Sequence, residues 1–273
     1  MVATPKLARR GWVTIFFFAL AGLSIWQRVR SSSKRNASVS GANNIRNTKD
    51  LFTVIERVLE PEVMESVEEA RDYNNMDHSA VNIGFVDDLI AAGFQGGDVL
   101  DLGTGTALIP IELAKRGLEC RIMAADAAIS MLDLARLNVE IASLMDVIQL
   151  SQCDAKDMAY SSEMFPWVIS NSIVHHIPDP MAVLREAWRV TKRGGWLFFR
   201  DLARPGSVLE VDRLVELYTV GCNDHQRQLF RDSLFAALTA QEMGQMVSEF
   251  GVKPETVTMT SDRHWTWIGQ KPE

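Results

Sequence analysis

The stretch Val99-Leu100-Asp101-Leu102-Gly103-Thr104-Gly105-Thr106-Ala107-Leu108-Ile109-Pro110, VLDLGTGTALIP, decides the reading of this chain. Four residues of buried-strand character run into a turn with two glycines, and the turn runs into an apolar helix. Gly103 and Gly105 remove side chains where the backbone must turn sharply and where a ligand must touch it. Pro110 is tolerated only in the first turn of the helix, where its missing N–H costs nothing. In doubly wound sheets ligands sit at the carboxyl ends of the strands, beside such a turn.

The same alternation continues on both sides. Phe85–Ile90 has helical spacing and ends at Gly93, and Gly96-Gly97 turns the chain into a strand over Asp98–Leu102. Helix follows from Ile109 to Arg116, then a strand over Arg121–Ala125 and a helix through Met131, Leu134 and Leu137. Further strands are expected at Val147–Leu150 and Trp167–Ser170. A helix over Pro180–Thr191 closes at Gly194-Gly195 and leads to a strand at Trp196–Phe199. Residues 207–250 are helical, and Glu255–Thr260 and Trp265–Ile268 end the chain as a hairpin-like edge. Trp265 and Trp267 alternate with Thr266, so both point to one side, into the core. The fold class is therefore α/β: a doubly wound, mostly parallel seven-stranded sheet with helical N-terminal and C-terminal additions.

Charge separates the first 49 residues from the rest. Residues 1–49 hold nine Lys and Arg and no acid, so 50–273 hold the other 19 basic residues against all 35 acids. A domain with that excess of acid does not grip a phosphate backbone, which excludes nucleic acid as partner. Within the basic segment, Gly11–Trp26 is a 16-residue run without charge, shorter than the ~20 residues of a full span. Arg28, Arg30, Lys34 and Arg35 follow it, and then a Ser-rich linker. Residues 1–49 are thus expected to be an address, either a membrane anchor at residues 11–26 or an organelle-import presequence. Residues 50–273 carry the chemistry. Cys120, Cys153 and Cys222 lack metal-ligand spacing and are expected to be buried thiols.

The glycine turn alone does not name a ligand. A dinucleotide fingerprint wants a small residue three places after Gly105, where this chain has Leu108, and there is no Tyr-x-x-x-Lys pair, so a nicotinamide oxidoreductase is disfavoured. Asp101 repels phosphate and attracts an ammonium or sulfonium group. Together with landmarks further along the chain, Asp101-Leu102-Gly103-Thr104-Gly105-Thr106-Ala107 resembles the first motif of class I S-adenosylmethionine-dependent methyltransferases. Asp126 in Ala125-Asp126-Ala127-Ala128-Ile129-Ser130-Met131-Leu132, Asp154 in Cys153-Asp154-Ala155, the segment Ser170-Asn171-Ser172-Ile173-Val174-His175-His176-Ile177 and Arg193-Gly194-Gly195-Trp196-Leu197 come in that family's order. The resemblance covers about residues 80–202.

The resemblance implies a Rossmann-like methyltransferase fold, S-adenosylmethionine as cofactor and a small-molecule substrate. It places Asp101, Gly103, Thr104 and Gly105 at the methionine end, Asp126 with Ala127 at the ribose, Asp154 with Ala155 at the adenine, and Asn171 at the edge of the site. Asp126 also stands where a helix cap would, and Asp154 where a turn cap would. His175 and His176 are the candidate bases, with at most one of them expected to face the site. No Asn/Asp-Pro-Pro-aromatic motif follows strand four and no cysteine lies in 171–176, so exocyclic-amine and cytosine C5 methylation are not indicated. Asn171 and Asp201 alone are too few for a metal, and no metal is expected. Arg71–Ser79 reads as a lid or a connector, and Asn223–Asp232 as an acceptor-pocket wall or a polar helix face. The competing expectation is a non-catalytic cofactor-binding domain serving a membrane complex.

Overall fold

The central strand, β1 (Gly97–Leu102), is apolar on both faces, and the sheet is built around it. A computed structural model describes residues 55–60, 67–74 and 78–273, all within a unit spanning Asn47–Glu273. β1 is flanked by β2 (Cys120–Asp126) and β4 (Phe165–Asn171), both parallel to it. β3 (Ile148–Gln152) extends the β2 side in parallel, and β5 (Thr191–Leu202) extends the β4 side. β7 (His264–Gln270) pairs antiparallel with β5, and β6 (Val257–Met259) antiparallel with β7. The order is β3-β2-β1-β4-β5-β7-β6, so the winding reverses between β1 and β4. That reversal opens a crevice at the carboxyl ends of these two strands.

Alternation along each strand feeds two cores. Val99, Trp167, Ile169 and Phe198 face one side, against α2 (Ser79–Ala91), α3 (Leu108–Ala114) and α4 (Ile129–Ile141). Leu100, Leu102, Val168, Leu197 and Phe199 face the other, against α5 (Pro180–Val190) and α8 (Ala240–Ser248). Trp265 and Trp267 are fully buried in this second core, as their spacing requires. α1 (Val67–Asn74) packs on α4, and α6 (Val208–Tyr218) on α7 (Asp224–Ala236).

Two local expectations change. The Gly194-Gly195 pair is not a loop before a short strand. β5 begins at Thr191, and residues 192–195 form an irregularity opposite Pro166. A Cβ on Gly195 would stand 2.9 Å from both the Lys192 and Pro166 carbonyl oxygens, so only glycine lets the strands close there. The three cysteines are free thiols but half-buried rather than buried. Gly11–Trp26 lies outside the described residues, and among the described residues no helix is long and apolar enough to cross a membrane.

Candidate active site

At the end of β1 the chain turns with φ of 67° at Gly103 and 55° at Gly105. The Thr104 amide donates to the Ala125 carbonyl at 3.0 Å, and the Gly105 amide donates to Asp126 Oδ2 at 2.8 Å. Asp126 Oδ1 accepts from the Ala128 amide at 2.9 Å. The acid that ends β2 therefore braces the glycine turn and the start of α4 together, and each oxygen keeps lone-pair capacity for a ligand. Burial raises its pKa against the pull of these amides. A side chain at Gly103 would collide with Ile173, at 2.7 Å from its Cδ1. The glycine thus lets the turn sit against the segment after β4.

A shallow cleft opens over this turn. Its lining includes Tyr73 from α1, Asp101, Gly103, Thr104, Thr106, Leu108 and Asn171. Asp101 is 2% exposed, and burial pushes its carboxyl up to about 7, with the charge of Asp126 adding to the effect and the Thr104 hydroxyl opposing it. Tyr73 is pushed to about 12 by burial and by the same two carboxylates. A buried acid in the cleft wall, with the charge of Asp126 acting on it and no Lys or Arg among the described lining residues, favours a positively charged ligand. Thr106 Oγ1 and Asn171 Oδ1 are buried atoms without a hydrogen-bond partner among the described residues. Ala107 and Ser172, which adjoin lining residues, both adopt left-handed φ near 61°. Strain at non-glycine residues of this kind gathers at ligand sites.

The remaining cofactor candidates lie at the same sheet edge. Ala155 is buried behind the end of β3, and Ala127 is exposed at the end of β2. Asp154 is exposed and accepts from the Lys156 amide at 2.9 Å, with the Lys156 ammonium at 3.1 Å. Its slight burial opposes ionisation, but these Lys156 contacts hold its pKa below the usual range.

The two histidines stand on a 3-10 turn, Val174–His176, just after β4. Both rings converge on one acid. His175 Nδ1 lies 2.5 Å from Asp201 Oδ1 in β5, and its Nε2 lies 3.4 Å from Glu60 Oε1. His176 Nδ1 is 3.2 Å from the same Glu60 oxygen. Burial opposes a charge on His175, but Asp201, its hydrogen bond and Glu60 outweigh it and raise the pKa. Arg57 fastens this arrangement. It donates to the carbonyls of His175 (3.1 Å), Ile177 (3.0 Å) and Ala236 (2.6 Å). Of the Asn223–Asp232 run, Asn223 caps α7 through a capping box with Gln226. Asp232 borders a second cleft, of about 320 Å³, shared with Val58, Leu59, Glu60 and Phe235.

Known proteins share this fold. Residues 100–199 match the family model described as a methyltransferase domain. The matched domain has the fold of solved S-adenosylmethionine-dependent methyltransferases. The domain is 31% identical over 125 residues to the ubiquinone biosynthesis O-methyltransferase of Paracidovorax citrulli, covering 45% of this chain and 50% of that protein. It is 33% identical over 111 residues to the enzyme of that name in Cereibacter sphaeroides, covering 41% and 43%. The chain spans about half the length of the curated relatives it matches. A solved S-adenosylmethionine-dependent methyltransferase from Aquifex aeolicus shares the fold, with a TM-score of 0.56 and 15% identity over 75% of this chain and 98% of that one.

Sequence reading missed Glu60, Arg57 and Thr106. Thr106 lay in plain view inside the glycine turn. Glu60 and Arg57 lie more than 110 residues from the histidines, and no local pattern marks them.

Proposed function

We propose that this chain uses S-adenosylmethionine to methylate a hydroxyl group of a small molecule. The observation that carries this reading is the set of groups around the glycine turn: buried Asp101, braced Asp126, and the unpartnered Thr106 Oγ1 and Asn171 Oδ1. These fit the cofactor's chemistry. Asp101 would answer the ammonium of its methionine end, Asp126 with Ala127 the ribose hydroxyls, and Gly103, Thr104 and Gly105 would give it backbone to lie against. Asp154 and Ala155, one strand further out, would border the adenine. When bound, the cofactor supplies a methyl group on a sulfonium, open to in-line attack.

The chain's own part is alignment and proton removal. Asn171 lies between the cleft and the 3-10 turn. The Glu60, His175 and His176 group, backed by Asp201, is where the acceptor hydroxyl would lose its proton. The names of the curated relatives favour oxygen as the acceptor atom. The acid-free residues 1–49 are proposed as an address for this domain, testable by following where a chain without them goes in cells.

Calorimetric titration of the full chain with S-adenosylhomocysteine tests the cofactor assignment. Turnover against a panel of phenols, catechols and aliphatic alcohols tests the acceptor. Failure of the folded chain to bind the cofactor product would overturn the reading.

A further inference from the structure

We propose that Glu60, His175 and His176 together bind a divalent transition-metal ion, with Asp201 as the carboxylate behind His175.

The spacing of the donor atoms supports this directly. Glu60 Oε1 lies 3.4 Å from His175 Nε2 and 3.2 Å from His176 Nδ1, and all three atoms lie within 4.8 Å of one another. In a tetrahedral site with bonds of ~2.0–2.2 Å, neighbouring donor atoms stand about 3.3–3.5 Å apart. One edge is at that length and a second, at 3.2 Å, is just short of it. Glu60 Oε1 is buried and makes no hydrogen bond among the described residues, although two imidazole nitrogens flank it.

Around the donors, the chain supplies the support a metal-binding histidine normally has. Asp201 Oδ1 takes the Nδ1 position of His175, and Asp201 Oδ2 accepts the His175 amide at 3.1 Å. The Leu202 amide donates to Asp201 Oδ1 at 2.6 Å. That carboxylate fixes the ring so that Nε2 points at Glu60. Arg57, three residues before Glu60, ties the acid's segment to the carbonyls of the turn that carries the histidines. The third donor is therefore held in place before any ion arrives.

Two imidazoles and one carboxylate suit zinc, manganese, iron or cobalt better than magnesium or calcium, which take oxygen ligands. Three protein ligands leave a position open. The second cleft reaches Glu60 from outside, between Val58, Leu59 and Phe235. The metal's role rests on the methyltransferase reading above, although its binding does not. An acceptor hydroxyl on the open position would ionise near neutral pH and give its proton to water. The oxygen would then form the new O–C bond as the C–S bond of the sulfonium breaks, with no redox change. With the ion bound, the histidines are ligands and not proton acceptors.

The experiment uses the full chain, stripped with chelator and dialysed without cofactor. Equilibrium dialysis against Zn²⁺, Mn²⁺ and Co²⁺, read by elemental analysis, should find one ion per chain for at least one of them. Co²⁺ should add the visible absorption of a low-symmetry site. Glu60→Gln and His176→Asn should weaken binding at least a hundredfold while keeping the circular dichroism of the parent, and Asp201→Asn should weaken it ten- to a hundredfold. Asp126→Ala, at the other end of the site, should bind the ion as the parent does. A folded parent with no stoichiometric ion, or Glu60→Gln and His176→Asn both binding like the parent, overturns the metal site. If the ion binds and S-adenosylhomocysteine does not, the metal site stands and the methyltransferase reading falls.

Discussion

The Gly105 amide donates to Asp126 Oδ2 across 2.8 Å, so the turn after β1 and the acid that ends β2 act as one unit. The acid's other oxygen holds the first turn of α4 through Ala128. Asp126 thus braces the entry to α4 as well as the turn, and with the ligand role proposed for it one substitution reports on both.

Asp126→Ala should weaken S-adenosylhomocysteine binding by about 1.5–3 kcal/mol, the scale of hydrogen bonds to a charged group. The melting temperature should also fall, because buried amides lose their acceptor. Asp126→Asn keeps an acceptor oxygen and should recover stability more than affinity. Calorimetry and thermal melts separate the two effects. Unchanged affinity in folded Asp126→Ala sinks the ribose assignment.

Asp101 should make both stability and binding depend on pH. Burial holds its carboxyl at about 7 in the fold, against an ordinary value of 3.8. Between those values the folded chain keeps a proton that the unfolded chain has lost. Its contribution to stability therefore falls as pH rises from about 4 to about 7, by at most about 1.4 kcal/mol per pH unit, and is level above. Cofactor binding should run the other way, because a cationic ligand needs the ionised acid. Affinity for S-adenosylhomocysteine should rise toward pH 7 and then level off, with proton release visible in buffers of different ionisation enthalpy. Asp101→Asn should abolish both trends, and persistence of either in that variant would assign it to another group.

Gly103→Ala tests why the turn needs glycine. The new Cβ would lie 2.7 Å from Ile173 Cδ1, and φ of 67° is strained for any side chain. The expected loss is about 1–3 kcal/mol of stability, together with cofactor affinity. Adding Ile173→Ala should relieve the collision but not the backbone strain, so recovery should be partial. Full recovery would mean that the contact with Ile173 alone sets the requirement.

How much of the molecule was legible in its sequence depends on the range of the interactions. The strand and helix order came from local periodicity, and the Val99–Pro110 stretch carries its own turn chemistry. Gly194-Gly195 was seen as a breaker, but its place inside β5 depends on the close approach of Pro166 from the neighbouring strand. The histidine pair was visible, whereas its acid partner was not. Glu60 reaches it only because segment 55–60 folds back across the sheet edge, and nothing near Glu60 in the chain encodes that return. The absence of a metal was expected from Asn171 and Asp201 alone, a count that did not include Glu60 because nothing in the sequence sets it beside the histidines.

Arg57 is the residue through which the return is enforced. Its guanidinium spans the carbonyls of His175, Ile177 and Ala236, joining segment 55–60, the 3-10 turn and the end of α7. Arg57→Ala should leave S-adenosylhomocysteine affinity within about twofold, since the groups around the glycine turn are untouched. Stability should drop by about 1–3 kcal/mol as buried carbonyls lose a charged donor. Acceptor turnover should drop further than stability accounts for, because Glu60 is then no longer held against the histidines. Arg57→Lys restores the charge but not the fork that reaches three carbonyls, so it should recover part of the stability and little of the turnover. If Arg57→Ala instead lost cofactor affinity in step with turnover, Arg57 would be supporting the whole sheet edge and not the Glu60 side of the site.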